Sequence, residues 1–540
     1  MAKDCKSGLV YRLGRRELLA APSPPFPVGS DTVVVGYSLP AEFACFLQLG
    51  WPRPVHSLDL CTEFRWLLGC KGGLPSLTRA LSHFGLHQHI TGAKAAWREL
   101  AANIEDLSRE ELDGLTDYCQ QDVEATEALY YTMLPKIDLD RALLRGRYQW
   151  AVAEMERAGI PLDTETLEQF RSRRGEVTDK LIREWDRHGV YDGKRFTAAR
   201  FDSMLRSSGI DWPRTPTGAP QLSDETFKEM ALLHPKEIGP YRELRQTLKW
   251  FRSEKLSVGP DGRNRTPLMP FSSITGRHQP SSTRFVFGLP KWLRGLIRPA
   301  PARFLAYLDW QQQEIAIAAA LSGDTRLKDA YTSGDVYLEF ARMAGALGAT
   351  TSDDGRGLIR ERYKVCMIAT MYGMPPRTLA RRLNISELEA EDLLSAHKKT
   401  FPQLWGWFDD ALVTGGGNGE LRTRLGWRRA VEDTDRENSV RNFLVQATGA
   451  EILRLAIMKM RDFGISVVAP VHDAVLIEGA LGSEDDLVPK AEAAMVWAGK
   501  KMLEGFALRV ETKVVRHPER LLGSEHTEQW DAMMRLISPS

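Results

Sequence analysis

Apolar residues recur at three- to four-residue spacing over most of the chain, so helices dominate, and only a few short apolar runs read as strands. Residues 1–30 are weakly patterned and end in the proline-rich APSPPFPVGS, which reads as a loop. Residues 31–37 (DTVVVGY) are expected to form a buried strand, followed by a helix beginning near Pro40, a second strand over 55–58 and a helix over 59–68. Further helices are expected over 74–84, 93–100 and 115–134. Strands alternating with helices predict an α/β domain that ends near Lys136.

Helical spacing resumes over 145–158 and 164–188, with AGIPLD as a turn between them. A loop holding Pro213, Pro216, Gly218 and Pro220 precedes Ser223, which suits the N-cap of the next helix. Residues 241–256 (YRELRQTLKWFRSEKL) form a basic helix closed by a GPDGRNR turn. Residues 304–308 (FLAYL) read as a short strand that Asp309 terminates, with a helix starting at once and stopping at Gly323. Helices then continue to about Ala411. GGGNG at 415–419 reads as a turn with hairpin chemistry rather than a phosphate cradle. A long helix covers 438–463, and two apolar strands, 465–469 and 474–477, meet at His472-Asp473.

The stretch 358–376 (LIRERYKVCMIATMYGMPP) places Arg360, Lys364, Ile368 and Tyr372 four apart, a slowly drifting stripe on one helix face. GMPP ends that helix, because Gly accepts left-handed geometry and Pro cannot donate to the ladder. Two cations one turn apart with a flat aromatic beyond them suit a triphosphate followed by a sugar and base. The same stripe taken alone also fits an amphipathic helix with solvated charges. Asp309 and Asp473 each end or interrupt an apolar strand, as helix N-caps and turn residues commonly do. If both lie on one sheet, they can bridge two Mg²⁺ ions about 3.5–4 Å apart and support in-line phosphoryl transfer.

Composition narrows this only slightly. A chain of 540 residues exceeds one core, so two to four domains are expected. Lys plus Arg (72) nearly balances Asp plus Glu (71), so nucleic-acid binding has no global basic signature. The segments 242–255, 263–298 and 422–429 are locally basic. Cys5, Cys45, Cys61, Cys70, Cys119 and Cys366 show neither CxxC spacing nor histidine partners at zinc intervals, which predicts reduced thiols. With no apolar run of about eighteen residues and no basic-then-apolar leader, the chain is expected to be neither secreted nor membrane-spanning.

LDWQQQEIAIAAALSGD resembles motif A of the family A DNA polymerases (close to DYSQIELR), and RERYKVCMIATMYG resembles their motif B (RxxxKxxxFxxxYG). VHDAVLIE is similar to motif C, usually VHDE, and the order A, B, C is the family's. TGRHQPSSTRFVFGLPKWLRGLIRPA resembles the TGRLSS segment, and NFLVQATGAEIL resembles the N-x-x-x-Q-x-x-x-A-[DE] helix. Together these matches span about residues 275–478. The apolar residue after the motif C Asp is more typical of a phage-type branch.

The resemblance implies that Asp309 and Asp473 are the metal-binding catalytic pair, holding two Mg²⁺ ions with Mn²⁺ as a substitute. It implies that Arg360 and Lys364 hold the incoming triphosphate, that Lys364 also protonates the leaving pyrophosphate, and that Gln312 belongs to the nucleotide site. Tyr372 would stack near the templating base, and Glu314 would crowd the sugar 2′-position. Arg277, Asn442 and Gln446 would touch primer and template in the minor groove, and His472 would lie beside the primer terminus. Several positions depart from the family pattern. Ile368 replaces the aromatic that stacks on the incoming nucleotide, and Ala474 replaces the Glu after the motif C Asp. Gln311, Gln313 and Ala316 replace Ser, Ile and Arg.

Upstream, AGIPLD and the 241–256 helix resemble the family's thumb. YCQQDVEAT, with Tyr118 and Asp122, resembles the third motif of its 3′–5′ exonuclease domain. VVVGYSLPAEF resembles the second, with Ser38 and Glu42 where Asn and Asp are usual. The first motif, a DxE before Val34, is missing, so this domain is expected to be vestigial or truncated and proofreading weak or absent. The expected architecture is an α+β right hand, with an antiparallel palm sheet and helical fingers and thumb, behind an RNase H-like α/β domain. Its expected divisions are 1–136 (exonuclease-like), 137–262 (thumb), 263–321 (palm), 322–437 (fingers) and 438–540 (palm). The implied activity is DNA-directed DNA synthesis on primer-template DNA with dNTPs, by a cytoplasmic monomer of a bacterial cell or phage-infected host. Alternatives weighed against this are a nuclease with a DNA clamp, a catalytically inactive replisome scaffold, and a single-subunit RNA polymerase. Glu314 as a sugar gate favours deoxynucleotides over the last.

Overall fold

The computed structural model describes residues 1–90, 97, 99–101, 107–252, 254–348 and 352–537. At its centre is a four-stranded antiparallel sheet with the spatial order Ser466–Val471, Ala474–Ala480, Arg303–Trp310, Val510–Arg516. Alternation along Arg303–Trp310 gives the sheet two different faces. Phe304, Ala306, Leu308 and Trp310 are buried on the side of the Glu484–Met502 helix. Phe304 meets Leu487 beside Gly479, and Thr512, paired with Leu308, donates to Glu492 at 2.6 Å. Tyr307 and Asp309 point the other way and are only partly covered.

The strand expected to stop before Asp309 instead runs through it to Trp310. Asp309 pairs with Ala474 on one side and Glu511 on the other, so backbone hydrogen bonding on both flanks carries the strand on. The following helix therefore starts later, at Gln313–Ser322, after Gln312 takes left-handed backbone (φ 48°). GGGNG is also not a simple turn. Gly415 to Gly417 lie inside the Pro402–Asn418 helix, and Gly419 alone is left-handed (φ 67°) before the Glu420–Arg422 strand. A side chain at Gly415 would meet Leu421, Val431 and Val440 at ordinary contact distance, so packing does not demand a glycine there. The single helix expected over 164–188 breaks at Arg173 into Thr164–Ser172 and Arg174–Trp185. Within AGIPLD, Ile160–Pro161 forms a short strand against Arg263–Asn264. Residues 1–30 are not all loop: Ala2–Lys3 pairs with Val10–Tyr11, and Arg15–Ala20 is helical.

Other expectations held within a residue or a few. Val33–Gly36 and His56–Asp59 form a parallel pair with the helices Pro40–Leu49 and Leu60–Leu67 following them. Arg109–Met133, Gly239–Arg252 and Glu437–Asp462 are helices where helices were expected. Ser223 caps its helix, accepting from the Thr226 amide at 3.0 Å. The helix expected over 93–100 lies largely outside the described residues. No helix among the described residues is long and apolar enough to cross a membrane.

The described residues of 325–418 add six helices, and His397 sits in their core. Its ring packs against Phe340 and Phe401 with centroids 5.1 and 5.0 Å away. Trp405 Nε1–H donates to His397 Nδ1 at 3.1 Å, which leaves His397 Nε2–H to donate to Met367 Sδ at 3.1 Å. Burial holds its pKa down at about 3. The unfolded chain protonates such a group near 6.5, so below about pH 6.5 the unfolded state binds the extra proton and stability falls. The expected slope from His397 is about 1.4 kcal/mol per pH unit, continuing until the folded group itself titrates. Urea unfolding between about pH 7 and pH 5 reads this slope, and His397→Gln is expected to flatten it by about that amount.

Candidate active site

Two carboxylates meet at the partly covered face of the sheet. Val471 pairs with Ala474, so His472 and Asp473 form a two-residue hairpin turn, with His472 left-handed (φ 56°). Histidine tolerates that conformation better than branched residues do. Ala474 in turn pairs with Asp309, which places Asp473 one residue beyond the partner of Asp309 on the adjacent strand. Burial, reinforced by the charges of Asp473 and Glu511, pushes the Asp309 carboxyl up to about 7. Asp473 is also raised, chiefly by burial, although Arg277 and His472 pull it down. Asp309 Oδ1 is buried without a hydrogen-bond partner. A buried acceptor left unpaired costs about 1–3 kcal/mol. Oxygen donors of this kind fit a hard divalent cation.

The helix carrying the stripe is Asp353–Met371, capped by Ser352, which accepts from the Gly355 amide at 3.2 Å. Arg360, Lys364 and Ile368 are half-buried along it. Tyr372 closes it and stays 48% exposed, followed by Gly373 at φ 58°. Asn438 ties this end down by donating to the Gly373 carbonyl at 3.0 Å. The Tyr372 hydroxyl donates to Glu314 Oε2 at 2.7 Å, and Arg277 donates to Glu314 Oε1 at 3.2 Å. Gln446 also lies against the Tyr372 hydroxyl. Glu314 therefore gathers Arg277 and Tyr372 from separate parts of the sequence, and Gln446 joins them through the Tyr372 hydroxyl.

The two stripe cations are held by acids. Arg360 Nε donates to Asp335 Oδ2 at 2.5 Å, with its guanidinium 5.3 Å from the Tyr337 ring. Lys364 lies 3.3 Å from Glu361. Gln312 accepts from Arg509 at 2.9 Å. Asn442 is buried, and His472 is exposed at the hairpin. Sequence reasoning missed Asp335, Arg509 and Glu511. Asp335 follows Gly334 and caps the Val336–Met343 helix, a local signal that was available. Glu511 could be found only through its pairing with Asp309, about two hundred residues away in the chain.

The exonuclease-like residues are arranged differently. Glu42 lies on Pro40–Leu49, after the left-handed Ser38 (φ 74°), and burial, reinforced by the Asp59 charge, pushes its carboxyl up to about 7. Buried Asp59 accepts from the Leu39 and Thr62 amides at 2.6 and 2.7 Å. Tyr118 stacks on Trp97 with centroids 6.1 Å apart, and Asp122 lies one turn further along the same helix.

Comparison with known proteins places this geometry in context. The model of DNA polymerase family A matches residues 206–517, more than half of the chain. The thermostable DNA polymerase I of Thermus caldophilus is 26% identical over 374 residues, covering 64% of this chain and 44% of that protein. The DNA polymerase I of Aquifex aeolicus is 25% identical over 435 residues, covering 77% of this chain and 74% of its own length. The chain spans less than half the length of the Thermus relative. A solved structure, the POL domain of Pol1 from M. smegmatis in complex with DNA primer-template and dNTP, superposes with a TM-score of 0.68 at 20% identity. That superposition covers 89% of this chain and 85% of the other.

Proposed function

Because the chain belongs to DNA polymerase family A, we propose that it is a template-directed DNA polymerase that adds deoxynucleotides to a primer 3′-hydroxyl. The observation that carries this reading is the strand register that sets Asp473 beside Asp309 on the open face of the sheet. Asp309 and Asp473 would hold two Mg²⁺ ions, or Mn²⁺ in their place. Bound there, the ions supply activation of the primer hydroxyl and neutralisation of phosphate charge.

The remaining work falls to side chains. Arg360 and Lys364 point one turn apart from the same helix and bind the triphosphate, Arg360 exchanging the Asp335 carboxylate for phosphate oxygens. Lys364 donates a proton to the leaving pyrophosphate. Glu314, held by Tyr372 and Arg277, crowds the sugar 2′-position, and Gln312 borders the same pocket. Tyr372 stacks near the templating base. Arg277, Asn442 and Gln446 contact minor-groove acceptors, which occupy nearly the same places in every correct pair, so they sense pair shape rather than sequence. His472, at the exposed hairpin tip, sits beside the primer terminus. The 353–371 helix rotates toward Asp309 and Asp473 when the correct pair forms.

The domain divisions at 136, 262, 321 and 437, a phage-type affiliation and a monomeric state belong to the same reading. So does a vestigial exonuclease-like domain over 1–136, which the missing DxE before Val34 supports. A mismatched primer with Mg²⁺ and no dNTPs is expected to stay intact on a denaturing gel. Trimming that disappears in Asp122→Ala would show that the domain proofreads. Ile368→Phe is expected to shift the ratio of dideoxy to deoxy incorporation by about tenfold, equivalent to ~1.4 kcal/mol, with duplex affinity little changed. Competitive incorporation assays measure that ratio. Extension of a primed template with dNTPs and Mg²⁺, compared with Asp309→Ala, tests the activity itself.

A further inference from the structure

We infer that Arg509 is a positioning residue of the nucleotide pocket, tying the turn that carries Gln312 to the loop that carries Asp335. The inference rests on the reading of Arg360, Gln312 and Glu314 as nucleotide-binding residues. Arg509 immediately precedes the Val510–Arg516 strand of the central sheet. Its backbone is fixed first. The Arg509 carbonyl accepts from the Gln311 amide at 3.0 Å, and its own amide donates to the Tyr331 hydroxyl at 2.8 Å. Tyr331 is fully buried, and its hydroxyl donates in turn to the Gln311 carbonyl at 3.1 Å.

From that anchor the side chain reaches two further segments. Nη1–H donates to the Gly334 carbonyl at 2.6 Å and Nη2–H to Gln312 Oε1 at 2.9 Å, with the guanidinium 4.5 Å from the Tyr331 ring. Gln312 is a non-glycine residue in the left-handed region (φ 48°), a conformation that its surroundings must hold. Helix Gln313–Ser322 starts from this turn and carries Glu314, so holding the turn holds Glu314. Gly334 (φ 119°) leads into Asp335, which caps Val336–Met343 and accepts from Arg360 at 2.5 Å. One guanidinium thus joins the segment that carries the sugar-side residue to the segment that holds the triphosphate-side arginine. Both of its acceptors are neutral, and no carboxylate pairs with Arg509 among the described residues. The side chain therefore acts through the geometry of its planar fork, which a lysine ammonium lacks.

The test is single-turnover incorporation by the full-length chain at varied dNTP, which separates nucleotide affinity from the rate of chemistry. Arg509→Ala is expected to weaken dNTP binding by about tenfold while the maximal rate falls less than about threefold. Arg509→Lys keeps the charge without the fork and should recover only part of the affinity. Gln312→Ala should weaken binding too, and its effect should shrink in the Arg509→Ala background, because the contact is already gone. Lys513→Gln, further along the same strand, should match wild type. A structural role alone predicts instead a lower melting temperature and fewer active sites by burst titration, with dNTP affinity unchanged in the molecules that remain folded. That outcome, or full recovery in Arg509→Lys, overturns the inference. If Arg360→Ala weakens dNTP binding and Arg509→Ala does not, the inference falls and the reading of the pocket stands. If Arg360→Ala binds dNTP as wild type does, the reading and the inference fall together.

Discussion

Asp309→Asn and Asp473→Asn are each expected to lower primer extension by at least about a thousandfold, equivalent to ~4 kcal/mol of transition-state stabilisation. Asparagine keeps the size of each side chain but not its charge, so neither position can hold a divalent cation. The sheet should survive both changes. The Asp309 carboxyl is already pushed up to about 7 by burial and by its acidic neighbours, so the uncharged form fits the site without a cation. Replacing it removes repulsion from Asp473 and Glu511 and should leave melting unchanged or slightly raised. Single-turnover extension reads the loss, and fluorescence anisotropy on labelled primer-template should show affinity within a few-fold of wild type. Full extension by either variant would remove the carboxylates from the chemistry.

The second large effect concerns stability. Arg145 on Leu139–Ala158 donates twice to Glu63, with both contacts at 2.7 Å and side-chain exposures of 7% and 0%. Glu63 belongs to the N-terminal α/β unit, so this pair fastens that unit to the long helix behind the central sheet. Gly146 reinforces the junction, because a Cβ there would run into the Ser57 carbonyl. Removing one partner of a buried pair strands the other charge at a cost of about 3–5 kcal/mol. Glu63→Ala should therefore lower unfolding free energy by that amount in urea titrations, while the Glu63→Leu/Arg145→Leu double variant recovers most of it. Arg454 and Glu451 form another buried charge group near Arg145, so a loss smaller than about 3 kcal/mol in Glu63→Ala would mean that Glu451 takes over as partner.

Much of this arrangement was legible in the sequence, and the exceptions share a cause. Helices such as 109–133 and 437–462 announce themselves because their periodicity is local. The His472-Asp473 hairpin was readable because two apolar runs close on a two-residue turn. Asp309 was misplaced at a strand end because its backbone partners, Ala474 and Glu511, lie far away in sequence. Glu511 was invisible for the same reason. The glycines of 415–417 read as a turn because glycine is a poor helix former, whereas the 402–418 helix carries them in its last turns. The stripe on 353–371 was correct as a face, but the Asp335 carboxylate holding Arg360 comes from another helix.

The central claim is that this chain reads a template while extending a primer at the Asp309–Asp473 face. The most direct measurement is incorporation of one nucleotide onto a primed template with Mg²⁺, each of the four dNTPs offered separately against each templating base. The account predicts rapid addition of the complementary dNTP alone, absent in Asp309→Asn and Asp473→Asn. No addition by the wild-type chain, or addition indifferent to the templating base, would contradict it.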